Sequence, residues 1–165
     1  MRIILALVSL LLLPTLLWLV RLWIMRLTVA RRRRPRQAGG GAGSLIVRPS
    51  GDGAYRVRST INGAVVDLVI DTGASTTTLN IPAAERAGLN PERLSYDIGI
   101  STANGNVPNA AAEVTLDDVR IGPIGVTGLP AQVSRAPLDE NLLGLDFLKS
   151  ISEFEIRDGD LHMRQ

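Results

Sequence analysis

Ile3 to Val20 is an unbroken run of eighteen uncharged residues, mostly Leu, Ile and Val, interrupted by Arg21 and extended by Leu22 to Met25. A membrane-crossing helix needs about 20 apolar residues at about 1.5 Å of rise each, so residues 1–26 predict a single N-terminal transmembrane anchor. Trp18 and Trp23 suit the membrane interface, Arg21 can snorkel toward the headgroups, and Pro14 is tolerated in a membrane helix. The competing reading is a cleavable signal peptide cut at Thr28-Val29-Ala30. Its apolar core would exceed the usual length of about 7–15 residues, and arginines crowd the proposed site. Residues 27–44 then read as a linker: Arg31 to Arg34, Pro35 and Arg36 are followed by the flexible run Gly39-Gly40-Gly41-Ala42-Gly43-Ser44. The folded domain is expected over residues 45–165.

Within that domain the polar and apolar positions have a two-residue period. Tyr55 to Ile61 alternates, with Tyr55, Val57 and Ile61 on one face. Asn62-Gly63 follows, a strong hairpin signal because both central positions of that turn need positive φ. Ala64 to Ile70 returns as a nearly continuous apolar strand fit for a buried position. Phe154 to Arg157, Asp158-Gly159 and Leu161 to Met163 read as a second hairpin, with His162 a solvent-facing strand residue. Asp117-Asp118 reads as a turn. Helical pattern is scarce: Ile81 to Gly88 suits a short helix with Asn80 as cap and Pro82 early, and Leu142 to Ser150 is the other candidate. The expectation is an all-β domain with one or two short helices.

Charge changes this picture at the tail only. Residues 1–36 hold eight arginines and no acidic residue, a charge of +8. Residues 37–165 hold ten basic and sixteen acidic residues, a charge of −6, so the chain's net +2 hides a strong asymmetry. The sequence pI of about 9.7 therefore belongs to the tail, and a nucleic-acid partner is not expected of a domain that repels phosphate. The basic run reads first as a topology signal, and it could also bind anionic lipid. There is no cysteine and one histidine, His162. Thiol catalysis, a Ser-His or Cys-His triad and a histidine-rich metal site are all excluded. Hydrolytic chemistry, if present, must rest on carboxylates; no metal and no cofactor are implied.

The strongest chemical signal is Val69-Ile70-Asp71-Thr72-Gly73-Ala74-Ser75, where an aspartate leaves an apolar strand into a tight turn. Gly73 allows close backbone approach, and the hydroxyls of Thr72 and Ser75 can orient the carboxylate. Aspartyl-phosphate pumps and nucleotide-binding kinases also place Asp, Thr and Gly near strand ends. Those need far longer α/β chains, and this chain has neither a P-loop nor a Gly-x-Gly-x-x-Gly run.

Asp71-Thr72-Gly73-Ala74-Ser75 resembles the active-site signature of the retropepsin-like aspartic proteases. Leu142-Leu143-Gly144-Leu145-Asp146-Phe147-Leu148 resembles their second signature, 73 residues from Asp71 to Gly144. Thr102-Ala103-Asn104-Gly105-Asn106 lies between the two, where that family places its flap hairpin. The likeness is greatest to the bacterial members with an N-terminal membrane helix, and it covers residues 45–165. The resemblance implies a closed β-barrel subunit, with Asp71 catalytic and Thr72, Gly73, Ala74 and Ser75 supporting it. It also implies a substrate-binding flap at Thr102, Ala103, Asn104 and Gly105. Aspartic proteases use two facing carboxylates, and this chain holds one Asp-Thr-Gly and no Asp-Ser-Gly. A homodimer is therefore expected; the resemblance implies that Thr72 of each subunit links the active-site loops and that strands near Phe154 to Met163 help build the dimer sheet. The substrate would be an extended polypeptide.

Two non-catalytic readings compete: the same fold used for binding or dimerisation with Asp71 idle, and a membrane scaffold in which the helix and basic run do the work. For location, the positive-inside rule weighs Arg26, Arg31 to Arg34 and Arg36 against Arg2, and puts the domain on the cytoplasmic face of a cell membrane. The resemblance points instead to the periplasm.

Overall fold

The computed structural model describes residues 36–37, 43–102 and 105–165. The expected anchor over 1–26 and two of the expected flap residues, Ala103 and Asn104, lie outside the described residues. None of the described helices is long and apolar enough to cross a membrane.

Eleven strands are described: β1 (Arg36–Gln37), β2 (Ser44–Val47), β3 (Tyr55–Ile61), β4 (Ala64–Ile70), β5 (Thr77–Asn80), β6 (Ile98–Thr102), β7 (Gly105–Ile121), β8 (Ile124–Ser134), β9 (Asn141–Leu143), β10 (Glu153–Arg157) and β11 (Asp160–Arg164). Two short helices accompany them, α1 (Ile81–Arg86) and α2 (Leu145–Leu148). Neighbours run in the order β8-β5-β9-β4-β3-β7, and β7 pairs back onto β8, which closes a six-stranded barrel. β6 lies outside it on β7, and β1 pairs with β8. The chain's end makes a separate three-stranded sheet, β10-β11-β2.

Period-two burial drives the closure. Val57, Ser59 and Ile61 of β3 and Val66, Leu68 and Ile70 of β4 point inward. They meet Leu116, Val119, Ile121, Ile124, Val126, Leu129, Leu143 and Phe147 in one core. The β3–β4 turn is Asn62 at φ 50° and Gly63 at φ 86°, two left-handed residues whose twist matches that of the flanking strands. Helix α1 forms where expected: the Asn80 side chain accepts a hydrogen bond from the Ala83 N–H at 3.0 Å, and Pro82 stands in the first turn.

Three details differ from the sequence reading. Strand β4 is interior to the sheet yet buried on one face only, and Val65 is 53% exposed. Asp117 and Asp118 are not a turn but lie within β7, near its end; the chain reverses later, at Gly122-Pro123. The span Leu142 to Ser150 is divided, because Asn141–Leu143 is a strand and only Leu145–Leu148 is helical. The last two share a cause: long-range ladder partners satisfy these backbones better than the local alternative does.

Strand β9 decides the geometry of the site. It runs parallel to β4 (Val69 beside Leu142) and touches β5 in antiparallel fashion at Thr78 and Leu142. It thus occupies the slot between the two strands on either side of the Asp-Thr-Gly turn, so the chain leaving β4 must cross the end of β9 to reach β5.

Candidate active site

That crossing is residues 71–76. The Asp71 N–H donates to the Leu143 carbonyl at 3.0 Å, extending the β4–β9 ladder by one bond to the aspartate itself. Beyond it, the Gly73 N–H donates to Asp71 Oδ1 at 2.8 Å, and the Ala74 N–H to the Asp71 carbonyl at 3.2 Å. The carboxylate is therefore held by its own turn. A side chain at Gly73 would crowd it, since a Cβ there would lie 3.1 Å from Asp71 Oδ1. Asp71 is half-buried, whereas Thr72, Gly73 and Ser75 are exposed. Among the described residues no hydroxyl of Thr72 or Ser75 bonds to the carboxylate; the Gly73 N–H does, and the Ala74 N–H bonds the backbone carbonyl of Asp71.

The second signature clamps the turn from below. The Leu145 N–H donates to the Ala74 carbonyl at 2.9 Å, and the Gly144 N–H to Thr77 Oγ1 at 3.1 Å. Gly144 permits the contact: a Cβ on it would sit 2.5 Å from the Thr76 carbonyl carbon and 2.8 Å from the Thr77 nitrogen.

Asp146 lies in the second signature, where the sequence alone gives it no role of its own; the structure gives it one. Its Oδ2 accepts the Thr77 N–H at 2.8 Å, and its Oδ1 accepts the Thr77 hydroxyl at 2.7 Å and the Phe147 N–H at 2.8 Å. It is a positioning residue: it fixes Thr77, which carries the far end of the Asp71 turn. Burial pushes its carboxyl above the ordinary range against the pull of those bonds. The signal available in the sequence was an acidic residue just inside a helix start, where its oxygen can meet free N–H groups. Asp146→Ala should destabilise the chain by about 3 kcal/mol or more, since three donors lose their acceptor at about 1–3 kcal/mol for each one left unpaired and buried. Urea unfolding measures this, and an unchanged midpoint would remove Asp146 from the support of the turn.

Of the expected flap positions, Thr102 and Gly105 are described. Strands β6 and β7 pair Thr102 with Gly105 and Ser101 with Asn106, bracketing positions 103 and 104. The apolar Val107 on β7 is 39% exposed. Among the described residues no cluster of three or more His, Cys, Asp or Glu could hold a metal ion.

A closed six-stranded barrel with an Asp-Thr-Gly turn crossing the end of β9 is the fold of a retropepsin-like aspartic protease. Residues 57–150 match the gag-polyprotein putative aspartyl protease family, and the chain belongs to it. Among solved structures it is similar to a retropepsin-like aspartic protease from Rickettsia conorii, with a TM-score of 0.68 and 28% sequence identity, covering 78% of this chain and 95% of that one. It is 32% identical over 125 residues to an uncharacterized protein in the cobV 5' region of Sinorhizobium sp, covering 75% of this chain and 53% of that protein. It is 34% identical over 119 residues to uncharacterized protein RP867 of Rickettsia prowazekii (strain Madrid E), covering 72% and 50%. The chain thus spans about half the length of the curated relatives it matches.

Proposed function

We propose that this chain is an aspartic endopeptidase that works as a homodimer and cleaves extended polypeptide segments. The observation that carries this reading is the half-buried Asp71 carboxylate, held by the Gly73 N–H at the rim of the barrel with an exposed Thr72 beside it. One such carboxylate is half of the required chemistry. A second copy supplies the other half, and a two-fold interface needs only one self-complementary surface. Strand β10 is suited to such a surface: it is a sheet edge, and Phe154 and Ile156 are 37% and 61% exposed. Exposed apolar edge strands invite pairing with another chain.

In the dimer the two Asp71 carboxylates would face each other and share one proton, because like charges about 3 Å apart cannot both ionise. The ionised carboxylate takes a proton from a water held between them, and the water oxygen bonds to the scissile carbonyl carbon. The protonated carboxyl gives its proton to the carbonyl oxygen, forming a neutral tetrahedral intermediate. Collapse breaks the C–N bond with proton transfer to the leaving amine. The β6–β7 pair, which carries the expected flap residues Thr102 and Gly105, would cover the substrate and pair with its main chain.

The test is concentration dependence. Activity of the purified chain should fall faster than linearly on dilution, because only the dimer holds a complete dyad. Activity that stays proportional to concentration where sizing finds only monomer would sink the dimer reading.

A further inference from the structure

A cavity of about 340 Å³ opens beside β4, its lining including Arg56, Asp67, Val69, Arg86, Asp139 and Glu140. Its place relative to Asp71 follows from strand alternation. Val66, Leu68 and Ile70 point into the barrel, so Asp67, Val69 and the next residue in phase, Asp71, face the other side. Val69 therefore stands two residues from the aspartate, about 6.6–6.8 Å along the strand.

Register sets Arg56 of β3 beside Val69 on one flank and Leu142 of β9 on the other. Arg56 reaches across β4 to Glu140, just ahead of β9: its Nε and one terminal nitrogen bond the two Glu140 oxygens at 2.8 and 3.1 Å. Its other terminal nitrogen bonds Asp52 Oδ1 at 2.8 Å. An exposed pair of this kind contributes little to stability. What it does is fix one guanidinium and two carboxylates, a net negative group, in a set place over an apolar residue beside the aspartate. The Arg56 bond holds the Asp52 carboxyl down at about 2, so that carboxylate stays charged in all but strong acid.

We propose that Arg56, Glu140 and Asp52 form the specificity determinant for one substrate position near the scissile bond, and that it favours lysine or arginine. The aliphatic stem of such a side chain packs on Val69 and its cationic head meets the carboxylates, the usual division of a long basic side chain between apolar and polar surroundings. Arg86 of α1 also lines the cavity, and among the described residues no ion pair ties it to Glu140 or Asp52. This inference rests on the peptidase reading above.

The test is cleavage of a proteome-derived peptide library by the purified full-length chain, reading the residues around each cut. Wild type should enrich lysine and arginine at one position within about three residues of the cleaved bond, the reach of an extended segment over Val69. In Glu140→Ala the freed guanidinium should lower that enrichment about tenfold or turn it toward acidic residues; in Arg56→Ala it should persist or rise. Glu140→Gln, which keeps the shape, should follow Glu140→Ala in direction. Cuts with no basic enrichment, or an enrichment that Glu140→Ala leaves unmoved, overturn this inference alone. No cleavage by wild type overturns the peptidase reading and this inference with it.

Discussion

Asp71→Asn is expected to leave the barrel folded while kcat/KM for peptide hydrolysis falls at least about a thousandfold, the scale of a lost general acid–base group. The amide has the volume of the carboxylate, and its oxygen can still accept the Gly73 N–H now held at 2.8 Å. The turn therefore keeps its shape. In the proposed homodimer, what would disappear is the ability to accept a proton from water on one subunit and to hand one to the carbonyl on the other, both at once. Peptidase rates paired with thermal unfolding separate chemistry from folding. Cleavage at the wild-type rate by a well-folded variant would take Asp71 out of the mechanism.

Gly144→Ala should have the largest effect on folding, at least about 4 kcal/mol, beyond the range of ordinary substitutions. The added Cβ would meet the Thr76 carbonyl carbon at 2.5 Å, the Thr77 nitrogen at 2.8 Å and the Thr76 nitrogen at 2.9 Å. All three are backbone atoms, so no rotamer change relieves the clash. The crossing chain and β9 must separate, which breaks the Asp71-to-Leu143 bond at 3.0 Å and the Leu145-to-Ala74 bond at 2.9 Å. Chemical denaturation of the purified variant measures the loss. Stability within about 1 kcal/mol of wild type, the usual cost of a substitution, would mean that the two segments do not pass so closely.

What was legible in the sequence was local. The turns at Asn62-Gly63 and Asp158-Gly159 carry their own instruction, since all four residues adopt positive φ, between 50° and 86°. Helix α1 announced its start through Asn80, whose side chain caps a backbone group three residues on. The Asp-Thr-Gly turn was visible for the same reason: the bonds that hold its carboxylate lie within four residues. What escaped notice depends on distant partners. Asp118 looks like a turn residue by composition, but it exchanges bonds with Asn62, 56 residues away: its N–H donates to Asn62 Oδ1, and its carbonyl accepts the Asn62 N–H. The donors that give Asp146 its role come mainly from Thr77, 69 residues away. No periodicity announces such a meeting.

The threading of β9 between β4 and β5 also sets an order of events during synthesis. Val69 and Leu142 are neighbours in the ladder but 73 residues apart along the chain, so the aspartate's turn is closed by one of the most remote pairings in the domain, and remote pairings are slow to form. A nascent chain that has emerged only as far as Asp139 already carries the whole Asp-Thr-Gly sequence. It has no Leu143 carbonyl to anchor the Asp71 N–H, no Leu145 N–H to hold Ala74 and no Asp146 to fix Thr77. The ribosome therefore presents the signature well before it presents the site.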